Sequence, residues 1–318
     1  MNRWRTGIMG AGMIAQGFDK PGDKRVLSMA HAFIQVPNFK LGGFYDQDPC
    51  RAEEAEQKWD CPTTPRSRDK WLNSGWDVIY IATPDECHGN DFRDALAHHP
   101  RAILIEKPLA TNSAEGVTLL EEAYRLGVIV IVDYPRRWHS ATSKVAEFIR
   151  AGKVGIPVSA VFTVSGGVIH NLSHALDLFL AWWGDGWQVS LNSRHGSVTC
   201  LTFSRGEVSF EAIVIDQTAQ LYYVFEMHIY CSQGKVELSY SPEIVELFYL
   251  KPHPAYPAYR VLTPFFRMGM EEEPLLCHTL EALAAAMANP VQAEDPYRRE
   301  IESQMFMAEV FHYFKKNN

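Results

Sequence analysis

The chain has 318 residues, 47% of them apolar and 21% charged, with a formal net charge of -8. That is enough chain for one large or two ordinary globular domains. The acidic balance excludes a nucleic-acid-binding surface and leaves no basic stripe for a membrane, and no apolar run approaches the length that spans a bilayer.

The six cysteines, Cys50, Cys61, Cys87, Cys200, Cys231 and Cys277, form no CxxC pair and no metal-ligand spacing. They read as scattered thiols of a reducing compartment. No signal-peptide core precedes the first strand, so a cytoplasmic protein is expected.

In chain order, Thr6-Gly7-Ile8-Met9 reads as a strand running into Gly10-x-Gly12-x-x-Ala15 and then a helix. Gly10 permits the tight turn, Gly12 lets the backbone approach a pyrophosphate, and Ala15 is small enough for close helix-on-strand packing. Met13 and Ile14 fall in the first helical turn, whose free N–H groups suit phosphates. The charged, Pro-Gly-containing stretch Phe18 to Arg25 reads as an inserted loop before a second helical piece, Val26 to Gln35. Asp46 ends the next strand, from Phe39. A carboxylate there accepts hydrogen bonds from a ribose diol and repels a 2′-phosphate, which favours NAD. Arg51 lies close enough in sequence to keep NADP open. The bland reading of Asp46 is a turn aspartate before Asp48-Pro49.

A charged helix is expected over Pro49 to Trp59, and a buried strand over Trp76 to Ala82, ending at Thr83-Pro84. Helix Asp91 to His98 and strand Ala102 to Ile105 follow. That strand ends abruptly in Glu106-Lys107-Pro108. Two charges at the end of a buried strand must each reach water or a partner. In an open α/β sheet the carboxyl ends of strands are where ligands sit, so Lys107 is delivered to the expected crevice; the bland alternative is a solvated surface turn. Helix Asn112 to Leu126, capped by Asn112 or Ser113, and strand Val128 to Val132 complete a series of βα units. Such a series implies a doubly wound parallel sheet over residues 1–133.

The pattern changes after Asp133. Thr142 to Ala151 is an amphipathic helix. From Pro157 long strand-like segments follow one another: Val158 to Val164, Ser197 to Phe203, Val208 to Ile215, Tyr222 to Ser232 and Lys235 to Tyr240. Their alternation predicts a large open, mostly antiparallel sheet in an α+β domain over 134–318. Its freer face, with Tyr, Phe and Met, is a candidate subunit contact. His253 to Pro257 reads as a surface loop. Phe265, Phe266, Met268 and Met270 read as a loop-like cover, Glu271 to Glu273 as a solvated run, and Tyr297 to Phe314 as a helix packing back.

A second chemical segment is Gly166-Gly167-Val168-Ile169-His170-Asn171-Leu172-Ser173-His174-Ala175-Leu176-Asp177. Helical spacing puts His170, His174 and Asp177 on one face, with Asn171 beside them, and Asn171 and Asp177 are candidate substrate contacts. Asp177 is placed to hold the His174 ring in one tautomer. Two histidines at this spacing also suit zinc, but no general-base Glu lies between them and no third ligand is evident, so no metal is expected. Structural histidines at a domain interface are the competing reading.

Gly10 to Ala15, Ile81-Ala82-Thr83-Pro84-x-x-x-His88, Glu106-Lys107-Pro108-Leu109, Arg136-Arg137-Trp138 and His174-x-x-Asp177 occur together and in this order. In them the chain resembles the glucose–fructose oxidoreductase / inositol dehydrogenase / rhizopine-catabolism (Gfo/Idh/MocA) family, from residue 5 to about residue 190. The resemblance implies an N-terminal Rossmann domain, a C-terminal domain with a large open sheet, and homodimers or homotetramers built through that sheet. It implies NAD(P)-dependent oxidation or reduction of a sugar-like hydroxyl. It assigns Lys107 to the reacting oxygen and His174 to the hydroxyl proton. Glu106 and the turn from Thr83-Pro84 to His88 would line the cofactor, and Tyr134 and Arg137 would lie near nicotinamide or substrate. Arg137 serves equally well as an ion-pair partner.

One position departs from the family. Many of its dehydrogenases carry Asp four residues before the catalytic His, where this chain has His170. The local string resembles a subgroup associated with surface-polysaccharide or sugar-nucleotide gene clusters. His170 would relay a proton, or bind a substrate hydroxyl or phosphate. Two functions are therefore carried forward: a sugar or sugar-nucleotide oxidoreductase, and a cofactor-binding sensor or assembly protein that has lost turnover.

Overall fold

The computed structural model describes residues 3–215, 222–239, 243–270, 273–289 and 294–316. The chain divides into two compact units. One comprises Met1–Pro135 with Pro274–Met305, the other Arg136–Glu273 with Phe306–Asn318.

The first unit alternates strand and helix: β1 (Trp4–Met9), α1 (Met29–Gln35), β2 (Phe39–Tyr45), α2 (Pro49–Lys58), α3 (Arg68–Leu72), β3 (Val78–Ile81), α4 (His88–Leu96), β4 (Ala102–Ile105), α5 (Ser113–Arg125) and β5 (Ile129–Val132). The five strands pair in the order β2-β1-β3-β4-β5, all parallel. β3 and β4 are buried at every position because helices cover both faces, which is why they read as unbroken apolar runs. Local chemistry sets the helix ends. Asp48 caps α2 by accepting from Cys50 N, with Pro49 in the first turn, and Asn112 caps α5 by accepting from Ala114 N.

The second unit contains α6 (Ser140–Arg150), β6 (Pro157–Ser165), α7 (Ser173–Trp183), β7 (Gln188–His195), β8 (Val198–Arg205), β9 (Val208–Ile215), β10 (Phe225–Cys231), β11 (Gly234–Ser239), β12 (Ile244–Pro252) and β13 (Arg260–Gly269). They form one sheet, ordered β13-β12-β11-β10-β6-β9-β8-β7. Every neighbouring pair is antiparallel except β6 and β9. Strict alternation of buried residues with half-buried or exposed ones along β10 and β11 marks one covered face. Phe179 carries α7 onto that face. Its ring lies 4.5 Å from Phe210, which also stacks on Phe203 at 4.6 Å and meets Phe162 at 4.9 Å and Trp187 at 5.1 Å. The opposite face is mixed, with Lys235 ion-paired to Glu237 at 2.7 Å.

The remaining helices are α8 (Leu275–Ala288) and α9 (Glu294–Lys316). The sequence placed all of 134–318 in one domain, yet Pro274–Met305 clusters with the first unit. The cause is α8, whose buried stripe Leu276, Leu280, Leu283 and Met287 packs against α1 and β5. Three local expectations also change. The glycine turn leads into a π-helical segment, Met13–Gly17. A second π-helical segment, Val168–Leu172, carries His170 and precedes α7, so His170, His174 and Asp177 do not share one α-helix. Phe265, Phe266 and Met268 lie in β13, paired with β12, where a loop was expected. Tyr240, Glu271 and Glu272, expected in a strand and a solvated run, lie outside the described residues. Among the described residues no helix is long and apolar enough to cross a membrane.

Because Phe210 touches four other rings at once, truncating it leaves a large void. Phe210→Ala is expected to cost about 3–5 kcal/mol, read as a shift of the denaturant midpoint without a change in slope.

Candidate functional site

The sheet order reverses between β1 and β3, which defines a crevice at the carboxyl ends of these strands. A cleft of about 600 Å³ lies there, lined by Gly10, Gly12, Met13, Ile14, Asp46 and Thr83 among others. Gly10 has φ +96°, and a Cβ on it would stand 2.4 Å from the Ala82 carbonyl oxygen at the end of β3. Its N–H donates to Tyr45 O at 2.7 Å, tying the turn to β2. Gly12 differs: a Cβ there would meet nothing nearer than Arg51 Nη2 at 4.0 Å, so the space above it is open to a ligand. The volume, the open backbone at Gly12 and the nearby guanidinium fit a dinucleotide's diphosphate.

Asp46 lines this cleft and also braces the turn. Its Oδ2 accepts from Ala11 N at 2.8 Å and its Oδ1 from Asp48 N at 3.0 Å. Arg51 Nη2 donates to Ala11 O at 3.3 Å from the other side. Pro84 lines the rim beside Thr83, whose hydroxyl donates to Asp91, and Asp91 is in turn held by Arg68 at 2.6 Å.

His88, expected to line the cofactor, is fully buried. Its Nδ1 lies 2.6 Å from Pro108 O and its Nε2 2.8 Å from Thr83 O. Both ring nitrogens are occupied by backbone carbonyls, so His88 ties the turn after β3 to the turn after β4 and offers no ring nitrogen to a ligand.

Glu106 sits in a polar cluster at the end of β4. Its carboxylate accepts from Tyr80 Oη at 2.6 Å, and Asp133, which follows the paired strand β5, is its neighbour. Asp133 is itself buried and accepts from Thr279 Oγ1 of α8 at 3.1 Å. Burial, and secondarily the Glu106 charge, holds the Asp133 carboxyl well above its ordinary range. Burial also raises Glu106, against the opposing pull of the Tyr80 hydrogen bond and the Lys107 charge. Burial and the Glu106 charge push the Tyr80 phenol up as well. Half-buried Lys107 immediately follows this cluster, and the Lys107–Pro108 peptide is cis.

Tyr134, expected near nicotinamide or substrate, is 1% exposed and belongs to the apolar core of the first unit. Its ring packs there because β5 runs straight into it.

In the second unit, His170 is exposed and His174 half-buried. Asp177 was expected to orient His174 or meet substrate. Its carboxylate is instead engaged by Arg137, through Nε to Oδ2 at 3.0 Å and through Nη2 to Oδ1, and both side chains are almost completely buried. This is the ion-pair reading of Arg137. Asn171, expected to meet substrate, turns its amide back to donate to Ser165 O at 2.5 Å, capping the end of β6.

Tyr80, Asp133 and Thr279 were missed in the sequence. Asp133 had a visible signal: it ends an apolar strand as Glu106 does, and a buried strand ending in a carboxylate needs a partner. Thr279 was hidden because the apolar spacing that makes α8 a helix went unread.

Two expectations follow. Gly12→Ala keeps the melting temperature close to wild type and weakens NADH binding, whereas Gly10→Ala lowers stability by about 1–3 kcal/mol; fluorescence titration and thermal melts separate the two. Arg137→Met leaves Asp177 buried and uncompensated and costs about 3–5 kcal/mol. The double variant Arg137→Met/Asp177→Leu recovers part of that loss in the same denaturation experiment.

Residues 4–134 match the family model described as oxidoreductase family, NAD-binding Rossmann fold. Among curated proteins, scyllo-inositol 2-dehydrogenase (NAD(+)) of Bacillus subtilis (strain 168) is 33% identical over 131 residues, covering 39% of this chain and 36% of that protein. The dTDP-3,4-didehydro-2,6-dideoxy-alpha-D-glucose 3-reductase of Streptomyces antibioticus is 23% identical over 164 residues, covering 51% and 47%. The chain thus spans less than half the length of these relatives. An NAD binding oxidoreductase from Klebsiella pneumoniae shares the fold, with a TM-score of 0.80 at 13% identity over 100% of this chain and 98% of that one. Over residues 4–134 the chain is thus similar to the Gfo/Idh/MocA oxidoreductase family, described by its NAD-binding Rossmann fold, and carries a five-stranded parallel sheet there.

Proposed function

We propose that the chain is an NAD(P)-dependent oxidoreductase that acts on a hydroxyl, or the matching ketone, of a sugar or sugar nucleotide. The observation that carries this reading is the dinucleotide-sized cleft at the β1/β3 crossover, with Gly12 open to it and Lys107 following β4 of the same sheet. The polyol and dTDP-sugar named for the curated relatives support the substrate class.

The dinucleotide, when bound, supplies the hydride acceptor or donor. Gly12 and the π-helical segment after it receive the diphosphate, and Asp46 with Arg51 meets the adenosine side. The Lys107 ammonium donates a hydrogen bond to the reacting oxygen and stabilises the negative charge that develops there as the hydroxyl proton leaves in oxidation, or as hydride adds to the carbonyl carbon in reduction. His174 takes the hydroxyl proton in oxidation and returns it in reduction. His170, exposed beside it in sequence, contacts substrate hydroxyls or phosphate.

Purified protein with NAD+ or NADP+ is mixed with scyllo-inositol and with dTDP-glucose, and absorbance of the reduced nicotinamide is followed. Growth of that band with either substrate supports the reading. Cofactor binding with no spectral change across a wider panel of polyols and sugar nucleotides favours the sensor or assembly alternative. On a turned-over substrate, Lys107→Met lowers kcat about 10²–10³-fold with NADH affinity retained, and His174→Asn lowers it about 10²–10⁴-fold. Retained turnover in either variant removes that residue from the chemistry.

A further inference from the structure

Glu106 and Asp133 follow β4 and β5, which pair in register with Ile105 opposite Val132. The two residues are therefore neighbours at the carboxyl end of one parallel sheet, with Asp133 buried and Glu106 half-buried, and the Glu106 charge acts on the Asp133 carboxyl. Neighbouring carboxylates repel where water is scarce, and one proton held between them removes that repulsion. The surrounding donors indicate where that proton sits. Tyr80 on β3 donates to Glu106 Oε1 at 2.6 Å, an arrangement that suits an ionised acceptor. Thr279 on α8 donates to Asp133 Oδ1 at 3.1 Å, which leaves the other Asp133 oxygen to carry the proton.

We propose that Asp133 is a positioning residue: its carboxyl stays protonated at neutral pH and donates to Glu106, and the singly charged pair anchors the Lys107 ammonium beside it. This rests on the reading of Lys107 given above. The charged and titratable groups acting on the pair are Tyr80 on β3, Lys107 after β4 and His88 at the start of α4. Lys107 opposes the upward shift of both carboxyls, so its charge reaches the whole pair. A doubly ionised pair would add a repulsion between neighbouring carboxylates. A neutral pair would leave the ammonium without a counter-charge from this cluster. One proton held in place avoids both.

The first test needs no substrate. Infrared difference spectroscopy of wild type against Asp133→Asn at neutral pH should show the carbonyl stretch of a protonated carboxyl in wild type only. Absence of that band overturns the proposal, whatever Lys107 does in catalysis. The second test is pH-dependent stability. An Asp held above its ordinary value of 3.8 contributes stability that is full below that value and is lost as pH rises through its folded value. Asp133→Asn removes this titration, so its melting temperature should gain on wild type between about pH 4 and pH 8. A gap that is constant with pH overturns the proposal.

The third test reads position. Asp133→Leu, which cannot donate, should lower kcat about a hundredfold with NADH affinity retained, and the conservative Asp133→Asn should recover most of that loss. Equal damage from Asn and Leu overturns the positioning role. If Lys107→Met keeps turnover while the infrared band and the pH-dependent gap both appear, the assignment of Lys107 falls and the protonated Asp133–Glu106 pair stands.

Discussion

Parallel pairing in register brings the residues that leave neighbouring strands to the same edge of the sheet. In the first unit β1, β3, β4 and β5 end together, and each ends in something other than an apolar residue: Gly10, the turn at Thr83, Glu106 and Asp133. The strands are buried on both faces, so polar groups at their ends are satisfied by one another or by a ligand. This single constraint produces both features of the site. On the β1/β3 side it leaves a cleft with exposed backbone; on the β4/β5 side it leaves a packed polar cluster with Lys107 next in the chain.

The division between these two sides explains what could be read from the sequence. Glycines are informative because their reasons are local. Gly10 is required where the turn passes the Ala82 carbonyl, and Gly12 where backbone must stay bare. The strand ends and the βα alternation were legible for the same reason, since buried parallel strands carry an apolar signature of their own. Asp133 and Glu106 were equally visible as charges at strand ends, but only the pairing register makes them partners. His88 and Tyr134 misled because sequence order near a motif was taken for exposure to the cleft. His88 spends both ring nitrogens on backbone carbonyls, and Tyr134 packs its ring into the core.

The second unit was legible as a sheet and much less as a site. Period-two alternation along β10 and β11 reveals strands without help from distant residues. The chemistry of His174 and its neighbours depends on partners that sequence spacing does not choose. Asp177 is three residues from His174 in sequence, yet its carboxylate carries a two-point ion pair with Arg137, 40 residues earlier. A guanidinium offers two parallel donors to a carboxylate, a geometry that an imidazole cannot match. The interruption of the helix by the π-helical segment Val168–Leu172 likewise moved His170 off the face expected for it.

On the proposed function, cofactor choice follows from charges that the turn itself employs. Asp46 accepts one hydrogen bond per oxygen, from the Ala11 and Asp48 N–H groups, and a carboxylate oxygen has a second lone pair. It can therefore brace the glycine turn and still accept ribose hydroxyls, while its charge repels a 2′-phosphate. Arg51 donates to the same turn at Ala11 O, and its guanidinium offsets that repulsion from within the cleft. The two side chains hold the same residue through successive peptide units, Asp46 at the Ala11 N–H and Arg51 at the Ala11 C=O. Altering either one to change dinucleotide preference therefore also loosens the turn that receives the diphosphate.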